Sequence, residues 1–189
     1  MARVGIHKEA IRFNGVGGYT LIELLIVLAI VAILVSSASP FLTSILNDNR
    51  LASQFNQLLG SLQFARAEAI RRQTSVTVCS SSDGASCGGN WEDGWITLAQ
   101  GAVVKSTPEL AGNTTLRFNR TGGSASDRIL FDSRGFSLDY SGTWTLCDSR
   151  GATNARGLNV VAMGRVVRAR DTDSDGIVED IDGSALSCP

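Results

Sequence analysis

A long apolar run broken by a single charge constrains this chain more than anything else in it. From Tyr19 to Asn47 the only charged residue is Glu23, and Leu24–Val35 reads LLIVLAIVAILV. About twenty apolar residues at a rise of 1.5 Å each span the ~30 Å hydrocarbon core of a bilayer. Residues 19–42 are therefore expected to form a membrane-spanning helix. A carboxylate inside that helix is unfavourable by roughly 2.5–3.5 kcal/mol on insertion scales, so Glu23 needs a compensating partner. Before the run stand Arg3, Lys8 and Arg12 against Glu9, a local net charge of +2. The excess of basic residues keeps the N-terminus cytoplasmic and sends the bulk of the chain across the membrane.

The position of the small residues is unusual. A secretory signal carries its cleavage site after the apolar region, whereas here Gly17 and Gly18 precede it. Cleavage after Gly18 would leave the helix on the mature chain and create an α-amine on Tyr19. That amine lies about one helical turn from the Glu23 carboxylate, or close to the same carboxylate of a neighbouring chain. A charge-assisted pair there would offset the desolvation of both groups.

The stretch GGYTLIELLIVLAIVAILVSSASP resembles the class III signal of type IV pilins and type II secretion pseudopilins. The resemblance implies a leader, residues 1–18, cut after Gly18 by a prepilin peptidase. It also implies N-methylation of Tyr19, and assembly roles for Glu23 and Pro40. Tyr19 stands where the family usually has phenylalanine. Pro40 interrupts the helix, since proline removes one helical hydrogen bond and costs about 3 kcal/mol, so a kink or local unwinding is expected there. A bend at the membrane exit is the other reading of the same proline.

The chain of 189 residues carries 17 basic and 18 acidic residues, and its one histidine, His7, lies in the leader. A mature chain without imidazole lacks the base or ligand of Ser/His/Asp, Cys/His and His-metal centres. No carboxylate pair stands out either, so the chain reads as a non-enzyme with no required cofactor. Without its leader it has 14 basic and 17 acidic residues, which gives no global basic field for nucleic acid. Cys79, Cys87, Cys147 and Cys188 all follow the apolar run and form no CxxC pair. An even number beyond a membrane points to two disulfides in an oxidising compartment. Of the three connectivities, local pairing as Cys79–Cys87 and Cys147–Cys188 is the simplest.

Leu51, Phe55, Leu58, Leu62, Ala65 and Ala69 recur at spacings of four and three, which makes residues 43–74 an amphipathic continuation of the helix with one core face. Residues 75–189 then alternate in strand fashion. The runs SVTVCSS, WITLAQ, AVVKS, TLRFN, RILFD, TWTLCD and LNVVAMGRVVRAR are separated by Gly, Asn, Asp and Ser turn signals. A long helix followed by short strands argues for an α+β fold with antiparallel sheets. The segment ARAEAIRRQTSVTVCSS, followed by Cys87 and NWEDGWI, is similar to the minor pilin FimT/FimU and pseudopilin H (GspH) family. The family implies a structural subunit of a type IV pilus or a type II secretion pseudopilus, in partnership with other pilins, at the inner membrane and then in the filament. Trp91 and Trp95 read as anchors of the core or of a subunit interface.

Two C-terminal features admit ligands. GRVVRAR holds Gly164, Arg165, Arg168 and Arg170, one residue out of step with a Gly-Arg-x-Arg motif that FimT-like proteins implicated in DNA uptake carry. On a strand Arg165 and Arg168 would face opposite ways, while Arg168 and Arg170 share a face. Phosphate contacts compete here with pairing to nearby carboxylates. DTDSDGIVEDID, residues 171–182, follows the calcium-loop pattern except that Asp182 replaces the closing glutamate. Asp171, Asp173, Asp175, the Ile177 carbonyl and Asp182 are the expected ligands, with Glu179 acting through water.

Overall fold

The computed structural model describes residues 18–189, apart from the side chains of residues 37–41. The leader up to residue 17, His7 included, and the Pro40 side chain thus lie outside the described residues. The chain divides into two units, residues 1–43 and Ser44–Pro189.

One helix, α1, runs from Leu21 to Arg72. In the first unit every large apolar side chain of α1 from Leu21 to Val35 is exposed. Among the described residues no helix is long and apolar enough to cross a membrane. Of the span expected over residues 19–42, the side chains of residues 37–41 lie outside the described residues.

In the second unit α1 turns one face into the core. Leu51, Phe55, Leu58, Leu62, Ala65 and Ala69, the stripe read from the sequence, are all buried. Each fully buried leucine or phenylalanine contributes about 1.5–3 kcal/mol relative to exposure. The helix stops where Gln73 takes a left-handed conformation with φ 53°. There the Thr74 amide reaches back to the Ala69 carbonyl at 3.2 Å, the closing bond of a Schellman cap. β-Branched residues follow at once and start the first strand.

Two antiparallel four-stranded sheets make up the rest. In the first, β1 (Val76–Ser80) lies between β2 (Trp95–Ala99) and β5 (Arg128–Phe131), and β3 (Ala102–Thr107) adds to the free edge of β2. The second contains β4 (Thr115–Arg120), β6 (Gly142–Cys147), β7 (Arg156–Val160) and β8 (Val166–Arg168), in the order β4-β6-β7-β8. The α+β architecture is as expected, with one correction. The run LNVVAMGRVVRAR is two strands, because the chain reverses at Gly164, whose amide donates to the Val161 carbonyl at 2.7 Å.

Both sheets and α1 share one core. Trp144 stacks on Phe118 at 4.6 Å, and Trp91 meets Trp144 edge-on at 4.3 Å. Trp95 is buried too, so both tryptophans of the Trp-x-x-Gly-Trp unit are core residues. Gly94 between them has φ 123°, and a Cβ there would press on the Thr107 carbonyl oxygen at 2.6 Å.

Candidate assembly and binding sites

The N-terminal site is built on the start of α1. Gly18 and Tyr19 precede the helix, and Tyr19 is 87% exposed. Thr20 caps the helix: its Oγ1 accepts from the Glu23 amide at 3.3 Å, and its carbonyl accepts from the Leu24 amide. Thr20-x-x-Glu23 matches the capping-box pattern, a signal that the sequence reading missed. Glu23 is thus the acidic residue of the first turn, where a negative charge also suits the helix dipole. The Glu23 carboxylate lies on the otherwise apolar and exposed stretch of α1 from Leu21 to Val35.

Both disulfides have the expected pairing. Cys79 on β1 bonds Cys87 and closes the loop after β1, and Cys147 at the end of β6 bonds Cys188 across 41 residues of sequence. Asp83 organises the first loop by accepting from the amides of Ala85 and Ser86 and the hydroxyls of Ser81 and Ser86. Those bonds, led by the Ser86 hydroxyl, hold its carboxyl well below the usual aspartate range.

The three arginines line one groove of about 670 Å³, together with Asn159, Glu179 and Asp180. They are not equivalent. Arg168, exposed at the end of β8, sits over the Phe55 ring at 5.1 Å and donates to Asn56 Oδ1 at 3.2 Å. Arg170 lies past the end of β8, so the strand alternation expected for Arg168 and Arg170 does not apply to it. Among the described residues neither Arg165 nor Arg170 pairs with a carboxylate; the ion pairs there involve other arginines. Gly164 has a packing role of its own. It is buried with φ 72°, and a Cβ would collide with the Gly135 carbonyl oxygen. Arg66 ties the same two turns to α1, donating from Nε to Gly135 O at 3.0 Å and from Nη2 to Met163 O at 3.2 Å.

The acidic loop gathers Asp171, Asp173, Asp175 and Glu179, with one oxygen of each within 4.8 Å of the others. These are the carboxylates that could hold a metal ion. Asp171, Asp173 and Asp175 are three of the expected ligands. Asp182 lies outside the cluster, and its Oδ2 accepts from the Gly122 amide, 60 positions away in sequence. The buried Glu179 takes its place, and its carboxylate accepts from the Thr172 amide at 2.9 and 3.1 Å.

An exposed apolar helix with a capped N-terminus, joined to an α+β head of two antiparallel sheets, is the architecture of a type IV pilin-like subunit. Residues 14–39 match the prokaryotic N-terminal methylation motif, and residues 54–164 match the model of type II transport protein GspH. The chain belongs to the GspH family. Its fold is similar to a crystal structure of the type IV minor pilin FimU of Pseudomonas aeruginosa strain PAO1. The TM-score is 0.53 at 23% identity, over 65% of this chain and 90% of that one. A second crystal form of FimU matches at 0.49 and 20% identity, over 63% and 92%. No curated protein matches the chain.

Proposed function

We propose that the chain is a minor pilin or pseudopilin that works by packing, as a structural subunit of a type IV pilus or a type II secretion pseudopilus, and not by catalysis. One observation carries this reading: a methylation motif and an exposed apolar helical stretch, Leu21 to Val35, with Glu23 as its one carboxylate, on the same chain as a GspH domain. In this reading a prepilin peptidase removes residues 1–18 and Tyr19 is N-methylated. Residues 19–42 hold the subunit in the inner membrane as a single pass, N-terminus cytoplasmic and head periplasmic, until it joins other pilins in the filament. Glu23 then pairs with the amine of a neighbouring subunit. Mass spectrometry of the membrane-bound protein tests the processing. The expected mass starts at methylated Tyr19, and a Gly18→Trp variant keeps the leader. A wild-type mass that includes Met1–Gly18 refutes the reading.

A second reading adds a ligand, a DNA backbone captured for uptake. It is favoured by Arg165 and Arg170, two cations without carboxylate partners on the rim of one groove. Counterion release makes such binding fall steeply with salt. Duplex DNA affinity of the detergent-solubilised chain, measured against salt, is expected to show a slope that the pair Arg165→Ala and Arg170→Ala flattens. Arg168→Ala changes it less, since Arg168 is held against Phe55 and Asn56. Absence of binding at low salt removes this reading.

A further inference from the structure

Beyond β8 the chain forms no further strand, and it meets the second sheet again at Ala169, Ile181, Leu186 and Cys188. The Ala169 amide donates to the Gly157 carbonyl at 2.8 Å. The Ile181 amide donates to Thr143 Oγ1 at 2.8 Å, and that hydroxyl donates to Asn159 Oδ1 at 2.8 Å. Leu186 fills the notch left by Gly157, where a Cβ would lie only 2.9 Å from Leu186 Cδ1. This cover explains why Thr143 and Thr145, polar residues on the face of β6 away from the core, are only 3% and 6% exposed. It lies entirely beyond the residues that match the GspH model, 54–164.

What fastens this segment is the question. Of residues 169–189 only Glu179 and Leu186 are buried. The stretch holds six acidic residues, three aspartates alternating with polar residues, and Leu186 as its single buried apolar side chain. Such a composition stays disordered by itself. One leucine and a few hydrogen bonds are small against the conformational entropy of about twenty ordered residues. The remaining fastener is the Cys147–Cys188 bond, which removes much of the freedom of the released state.

We propose that residues 169–189 are a redox-latched strap, closed while Cys147–Cys188 is intact and released from the second sheet when a dithiol reduces that bond. Cys147 is buried, and Cys188 is partly exposed at the end of the strap. The thiolate of the dithiol bonds to one sulfur of the pair, and the other leaves as a thiolate and takes up a proton. The second thiol of the reagent then attacks the reagent's own bound sulfur and displaces the protein sulfur, which takes up a proton, so the reagent ends as its own disulfide and Cys147 and Cys188 end as two thiols. Release uncovers Thr143, Thr145 and Asn159. It also removes the wall of the arginine groove that Thr172, Glu179, Asp180 and Gly183 supply.

Limited proteolysis of the full-length chain in detergent, with a serine protease that cuts after acidic residues and a chelator present, tests the latch. Three samples decide it: wild type before and after dithiothreitol, the pair Cys147→Ser with Cys188→Ser, and the pair Cys79→Ser with Cys87→Ser. Cutting within residues 171–182 is expected to be at least tenfold faster in reduced wild type and in the first pair, with β1–β7 still intact. The second pair is expected to keep the strap rate of oxidised wild type. Strap cutting that is unchanged by reduction and by the first pair overturns the proposal. Loss of strap and sheets together in reduced wild type overturns it equally, since the strap is then not a separate unit. If the first pair fails to fold, reduced wild type alone carries the decision.

Discussion

Gly164 shows how one residue can invite a functional reading and carry a structural one. In the sequence it opens a Gly-Arg run, and a glycine beside arginines reads as part of a phosphate-binding motif. In the fold it sits at φ 72° with no room for a Cβ beside the Gly135 carbonyl. A left-handed non-glycine residue costs about 1–3 kcal/mol before any collision is counted. Gly164→Ala is therefore expected to lower the unfolding free energy of the detergent-solubilised chain by at least that much, seen as a fall in its urea midpoint. It should also loosen the Arg66 bonds to Gly135 and Met163. An unchanged midpoint would return Gly164 to the ligand motif. The arginines have no such packing demand at Arg165 and Arg170, so the binding question rests on them.

At the scale of elements, the last turn of α1 makes the stability of the head depend on pH. Glu68 is nearly buried and accepts from Arg71 Nε at 2.8 Å, Arg71 Nη2 at 2.6 Å and Arg72 Nε at 2.6 Å. The Arg71 and Arg72 guanidinium groups, Arg71 first, bring its carboxyl down to about 2 from an ordinary 4.5. A carboxylate with a depressed folded-state pKa stabilises fully above its unfolded value, and the contribution is lost as pH falls through the folded one. Asp132, held low first by the Phe136 amide, and Asp148, held low first by Arg150, act in the same direction. The urea midpoint is thus expected to be level from pH 7 to about 5 and to fall from there to pH 2. Glu68→Gln should be less stable at neutral pH, with the difference closing as pH approaches 2. Parallel curves for the two proteins would remove Glu68 from this account.

At the scale of the whole molecule, two units of opposite character share one helix. In the first, apolar side chains face outward from Leu21 to Val35; in the second, the same helix buries its apolar stripe under two sheets. A helix exposed in this way needs an apolar medium, and in the proposed function that medium is first lipid and then the helices of other subunits. Glu23→Ala makes the first unit more apolar, so membrane insertion is expected to persist. Recovery in sheared filament fractions is expected to fall, because the partner of the neighbouring amine is gone. Equal recovery of variant and wild type would refute the pairing role while leaving the packing role of the helix intact.

Much of this was legible in the sequence, because it rests on local periodicity. The helix stripe from Leu51 to Ala69 follows from 3.6 residues per turn, and the strand runs follow from alternation and turn residues. Thr20-x-x-Glu23 was equally local and was read only for its charge. What depends on distant approach was not legible. Nothing near Asp182 in sequence shows that its carboxylate turns to Gly122, or that Glu179 joins the three aspartates instead. Gly164 needs Gly135, 29 positions away, to explain it, and Arg168 needs Phe55 and Asn56 on α1. Sequence alone determined which segments would be helix, strand and membrane-type apolar run, since those preferences act between residues a few positions apart. Tertiary structure alone decided which charges are free, which are held and which face the strap covers, since each depends on a partner that only the folded chain brings near.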